Sequence, residues 1–61
     1  MIARFLRRLE LTGLAGRIAY HEHQLIAADD AGNGPAALYH WIELDELIMR
    51  RDALLAGRVK A

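Results

Sequence analysis

Along the chain, apolar side chains recur every three or four residues, and no stretch sustains a period-two alternation of β-branched residues. That period belongs to α-helices, which bring residues i, i+3, i+4 and i+7 to one face. Two such stretches flank a single cluster of helix breakers, Ala31-Gly32-Asn33-Gly34-Pro35. Gly32 is placed to follow a helix end, where a left-handed backbone is needed and glycine adopts it freely. Pro35 suits the first turn of a second helix, because its missing N–H would have no partner there. The pattern predicts helix 1 over residues 2–30, a turn over 31–34 and helix 2 over 35–56, with Gly57 as the stop.

The apolar faces then say how the helices pack. In helix 1, Ile2, Phe5, Leu6 and Leu9 cluster on one side, and Leu14, Ile18 and Leu25 on nearly the opposite side. Gly13 and Gly16 lie between the two sets, each costing about 1 kcal/mol relative to alanine inside a helix. Two readings fit: a kink or break near Thr12-Gly13, or one continuous helix with apolar neighbours on two sides. Both glycines fall on the side of Ile2, Leu6 and Tyr20, where they would form a notch for another helix.

Helix 2 has a broad apolar face of Ala37, Leu38, Trp41, Leu44, Ile48, Leu55 and Val59, widened by Ile42 and Met49. Glu43, Glu46, Arg50 and the outer ends of Tyr39 and His40 occupy the other side. One neighbouring helix cannot cover so wide a face. The expected fold is all-α: an antiparallel helical hairpin, two copies of which form a four-helix bundle. Leu38, Trp41, Leu44, Ile48 and Leu55 are the expected oligomer core.

Composition strengthens the expectation of self-association. Sixty-one residues make one small domain, and a chain this short buries only roughly 60% of its unfolded surface. Hydrophobic residues form 54% of it, and the absence of cysteine removes disulfides and thiolate metal sites. Glu10 and Arg17 interrupt what would be the apolar part of a signal peptide. No uncharged run approaches the roughly 20 residues that span a bilayer, so a cytoplasmic location is expected. Seven arginines against one lysine, with eleven alanines, match a high-GC bacterial or phage genome and an accessory protein of a phage or mobile element.

The net charge is zero, but its distribution is uneven. Residues 1–20 carry +3, residues 21–49 carry −6 and residues 50–61 carry +3. A hairpin turning at Asn33 would bring Arg4, Arg7 and Arg8 beside Arg58 and Lys60 as a basic pole. Glu22, Asp29, Asp30, Glu43, Asp45 and Glu46 would gather toward the turn as an acidic one. Antiparallel packing of two hairpins would match the poles. The acidic pole argues against a nucleic-acid duplex as partner, and no turn is placed to present a recognition helix. The first eleven residues would suit a membrane surface, but the same pattern describes any helix on a core.

Candidate chemistry is sparse. His21-Glu22-His23 places two histidines about 200° apart on a helix, which prevents them from sharing one metal ion. His40 and Glu43 have chelate spacing but stand alone. Across the hairpin, His23 is expected near Glu43 and His21 near Asp45, as histidine–carboxylate pairs. Serine and cysteine are absent, and Thr12 is the only aliphatic hydroxyl. No catalytic residue, metal ligand set or cofactor fingerprint is therefore assigned. Tyr39, His40 and Glu43, with the arginines Arg4, Arg7 and Arg8, are the candidate partner-binding residues.

The expected function is a non-enzymatic interaction module, an adaptor or inhibitor, working as a homo-oligomer on another protein. Two alternatives stand beside it: a metal- or histidine-assisted enzyme assembled at a dimer interface, and a basic-tipped binder of nucleic acid or membrane surfaces.

Overall fold

The computed structural model describes residues 2–60, with side chains as far as Gly57. Helix α1 spans Ile2–Asp30 and α2 spans Gly34–Lys60, packed against each other as a hairpin. The side chains of Arg58, Val59 and Lys60, assigned above to the basic pole and the apolar face, lie outside the described residues.

Helix α1 runs unbroken through Thr12, Gly13 and Gly16. The Thr12 hydroxyl donates to the Arg8 carbonyl at 2.9 Å, so its polar group is satisfied within the helix. Leu14 and Ile18, buried within two residues of these glycines, supply the packing that offsets the glycine cost. Helix α2 likewise continues past Gly57, where the sequence predicted a stop. A glycine ends a helix by taking a left-handed conformation, and among the described residues only Gly32 has a positive φ, of 70°.

That glycine builds the turn. The Gly32 N–H donates to the Asp29 carbonyl at 3.0 Å and the Asn33 N–H to the Ala28 carbonyl at 2.8 Å. These are the two bonds of a Schellman motif, which satisfies carbonyls left free at the end of α1. Asn33 then serves the next helix: its Oδ1 accepts the Ala36 N–H at 3.2 Å and its carbonyl accepts the Ala37 N–H at 3.0 Å. One residue thus closes α1 and caps α2.

Because Asn33 folds back onto Ala28, α2 begins about one turn below the top of α1. Facing residues therefore have numbers totalling about 61, as in Glu10 with Arg50 and His21 with His40. The sequence expectation, centred on Asn33, sits about one helical turn away from this register. With the observed register, Glu43, Asp45 and Glu46 fall at mid-length rather than near the turn. Asp29 and Asp30 are left at the turn itself.

The packed seam follows a three-and-four spacing. In α1 it runs through Arg7, Leu11, Leu14, Ile18, His21, Leu25 and Ala28, each buried or half-buried. In α2 it runs through Ala37, His40, Leu44, Leu47, Arg51 and Leu54. This is the heptad repeat by which two helices keep one stripe in contact along their length. It differs from the expected α2 face, sharing Ala37 and Leu44 but leaving Leu38, Trp41 and Leu55 exposed. The short turn and its cap fix where α2 starts, and hence which of two overlapping apolar stripes meets α1.

The result is a rod, 46 × 17 × 11 Å, with a radius of gyration of 14.2 Å. A compact chain of this length would have about 10.5 Å. Among the described residues, Leu14, Ile18 and Leu44 form the buried core, whereas twelve large hydrophobic side chains are exposed. The exposed surface is 4904 Å², against about 4,000 Å² for a compact monomer of the same mass.

Candidate functional site

Two features stand out from this frame: a polar layer inside the seam and an uncovered apolar flank beside it. The polar layer holds His21 and His40, both half-buried, between the apolar layers of Ile18 with Leu44 and Leu25 with Ala37. Their Nδ1 atoms are 2.7 Å apart. A contact of that length between ring nitrogens requires one to carry the proton and the other to offer its lone pair. The ring centroids are 5.0 Å apart, nearly the most that this nitrogen contact permits, so the rings meet head-on.

Two tyrosines close the layer on one flank. Tyr20 meets His21 edge-on at 5.1 Å and His40 at 6.2 Å, and Tyr39 meets His40 at 4.9 Å and His21 at 6.2 Å. Both tyrosines are themselves 56% exposed. The flank continues along the rod with Gln24, Glu43 and the ion pair of Arg50 with Glu10. In that pair Arg50 donates to one Glu10 oxygen from both Nε, at 3.0 Å, and a terminal nitrogen, at 2.6 Å. Arg51 pairs with its neighbour Asp52 at 3.2 Å.

The histidine–carboxylate pairs expected from the sequence are replaced by this layer. His21 meets His40 instead of Asp45, because of the one-turn register difference. His23 faces outward, two residues and about 200° from the seam position of His21. Of the expected binding patch, Tyr39 is exposed, Glu43 is half-buried beside the seam, and His40 points into the seam rather than away from it. Arg4 and Arg8 are exposed, and Arg7 takes a half-buried seam position. The seam histidine pair escaped detection, yet a signal for it exists. Stepping by threes and fours from Leu14 and from Leu44 leads onto His21 and His40.

On the opposite flank, α2 presents Trp41, Ile48 and Leu55 beside the seam, with Leu38, Ile42 and Met49 beyond them. Trp41 is 59% exposed and Met49 64%. The expected oligomer core is thus divided. Leu44 belongs to the hairpin's own interior, while Leu38, Trp41 and Leu55 are open and Ile48 is half-covered. The adjoining edge of α1 carries Arg8, Ala15, Glu22 and Asp29, basic toward the free end and acidic toward the turn. The outer face of α1 adds a second apolar group, Ile2, Leu6 and Leu9, all more than half exposed. A Cβ built on Gly13 or Gly16 meets nothing within 4 Å, so the notch expected there is open in the single chain.

No group of three or more His, Asp or Glu residues able to hold a metal ion occurs among the described residues. Neither described helix is long and apolar enough to cross a membrane. These features define a class: a small all-α hairpin with a polar seam layer and an exposed aromatic–aliphatic flank. No protein-family model, curated protein or solved structure matches the chain, so its function is argued from its own residues.

Proposed function

We propose that this protein is a non-enzymatic interaction module, an adaptor or inhibitor, that works as a homodimeric four-helix bundle. The observation that carries the reading is the uncovered α2 flank: Leu38, Trp41, Ile42, Met49 and Leu55 are exposed beside a core of three residues. The rod exposes roughly 900 Å² more than a compact chain of its mass, close to the about 800 Å² that each partner contributes to a standard interface. Charge supports the second copy as occupant and sets its direction. An antiparallel arrangement brings Arg8 of one copy toward Glu22 and Asp29 of the other, and a parallel one brings like onto like.

In such a dimer the tyrosine flank and the outer face of α1 stay available to another protein. Tyr20 and Tyr39 are side chains of the kind enriched at binding hot spots. Ile2, Leu6 and Leu9, bordered by Arg4 and Arg8, fit an amphipathic segment with acidic margins. Sedimentation equilibrium tests the first step. A species of twice the 6.9 kDa chain mass is expected, and a well-folded species of the chain mass alone refutes the bundle.

A second reading rests on the same N-terminal patch, whose apolar residues face outward while two arginines flank them. Attachment to an anionic membrane surface would use that arrangement. Co-sedimentation with vesicles containing anionic lipid, lost when Leu6 and Leu9 are replaced by serine, would favour it over a protein partner.

A further inference from the structure

The lone pair of an imidazole nitrogen lies in the ring plane, on the line from the ring centre through that nitrogen. With 2.7 Å between the Nδ1 atoms of His21 and His40 and 5.0 Å between their centroids, the two lines nearly coincide. Both donor directions therefore meet at one point between the rings. We infer that this layer is a linear two-coordinate site for copper(I). Imidazole is a copper ligand, and this closed-shell monovalent cation accepts two collinear donors.

The angle selects the ion. Zinc in a protein takes four ligands in a tetrahedral arrangement, with bonds to histidine of about 2.0–2.1 Å. Two histidines on such an ion hold their donor lines at the tetrahedral angle, far from the straight line here. Among the described residues no group of three or more His, Asp or Glu could hold an ion, and a linear ion needs only two. The 46° between the ring planes is a twist about the common line, to which a linear ion is indifferent.

The spacing has to change only slightly. Two bonds of about 2 Å put the nitrogens about 4 Å apart, so each ring draws back by about 0.6 Å. Both histidines are half-buried, and small torsional shifts within their rotamers supply that movement. The ring that donates from Nδ1 in the hydrogen-bonded pair moves its proton to its own Nε2. Both Nδ1 lone pairs are then free, and no net proton is lost.

The surroundings suit one positive charge. His21 and His40 lie in the 21–49 segment, which carries −6 and contains no lysine or arginine. Glu22 and Glu43 are within a turn of them, against Arg17 one turn before His21. Layers of Ile18 with Leu44 and of Leu25 with Ala37 lie on either side. Tyr20 at 5.1 Å from His21 and Tyr39 at 4.9 Å from His40, centroid to centroid, cover one flank. These neighbours limit the water that would otherwise add ligands. A bound ion would join α1 to α2, a staple for a small chain that has no cysteine. Both ligands belong to one chain, so the site stands whether or not two chains associate.

Anaerobic titration of the full chain with copper(I), against a chromogenic chelator at about pH 7.5, is the test. One tightly held ion per chain is expected, with a urea midpoint that rises as copper(I) is added. His21→Leu and His40→Leu should each weaken binding by at least about tenfold, since even an outer-shell partner is worth about 10–100-fold. His23→Gln and Met49→Leu should leave it unchanged. X-ray absorption of the copper(I)-loaded wild type requires no variant and should show two nitrogen neighbours at about 2 Å. A sulfur neighbour, three or more ligands, undiminished binding in the two leucine variants, or no uptake of copper(I) overturns the inference.

Discussion

Replacing Trp41 with alanine separates an apolar flank that is merely exposed from one that is covered by a second copy. Within one chain Trp41 is 59% exposed. An aromatic side chain of this size buries about 150–250 Å² when fully covered, so roughly 90–150 Å² awaits a partner. At about 25 cal/mol per Å² that area is worth about 2–4 kcal/mol per chain. A symmetric dimer contains the contact twice, so its dissociation free energy should fall by at least about 4 kcal/mol. Each 1.4 kcal/mol is tenfold, and dimerisation should weaken about a thousandfold. Sedimentation equilibrium across a dilution series measures this directly, with circular dichroism confirming that the helices persist. Trp41 is the only tryptophan, so wild-type fluorescence gives a second measure, its emission shifting to the red as dilution uncovers the ring. An unchanged association constant in Trp41→Ala, or a solvent-exposed emission at every concentration, would refute the reasoning.

Gly32→Ala forces a side chain into the left-handed turn at φ 70° and should cost about 1–2 kcal/mol, read as a lower urea midpoint. Gly16→Ala meets open space in the single chain and should raise stability by about 0.8–1.0 kcal/mol; a loss of stability or of association would mean that another helix packs into the notch. Glu10→Gln removes a carboxylate that is 41% exposed and should cost less than about 1 kcal/mol, an effect that high salt erases.

The helices and the turn were legible because their signals are local. Gly32 and Asn33 act through bonds to residues three to five positions away, Pro35 acts through its own missing N–H, and neither helix needs a distant partner to be recognised by period. The face that α2 turns to α1 was not legible in the same way. Leu38, Trp41, Ile48 and Leu55 form the more apolar stripe, whereas the stripe in the seam contains His40 and Arg51. Hydrophobicity alone chooses the first. The second is chosen by the three-residue turn, which starts α2 one helical turn below the top of α1 and so fixes its rotation. The histidine pair depends on that register, and a misplaced turn centre was enough to send His21 to Asp45 instead.

The choice of the more polar stripe has a structural use. A seam made only of leucine, isoleucine and alanine layers would tolerate a slip of one helix past the other, since each layer resembles the next. His21 and His40 remove that freedom. In the observed register each satisfies the other, while a slip of one turn would leave both facing apolar side chains with a buried polar nitrogen unpaired, at about 1–3 kcal/mol each. A polar residue that fixes register at some cost in stability is a known device of coiled coils. The same layer can therefore set the register of the two helices through one shared hydrogen bond. A variant carrying both His21→Leu and His40→Leu should be less strict in register. Disulfide trapping between cysteines placed at Glu10 and Arg50 would report that loss, as a lower yield than in the parent seam.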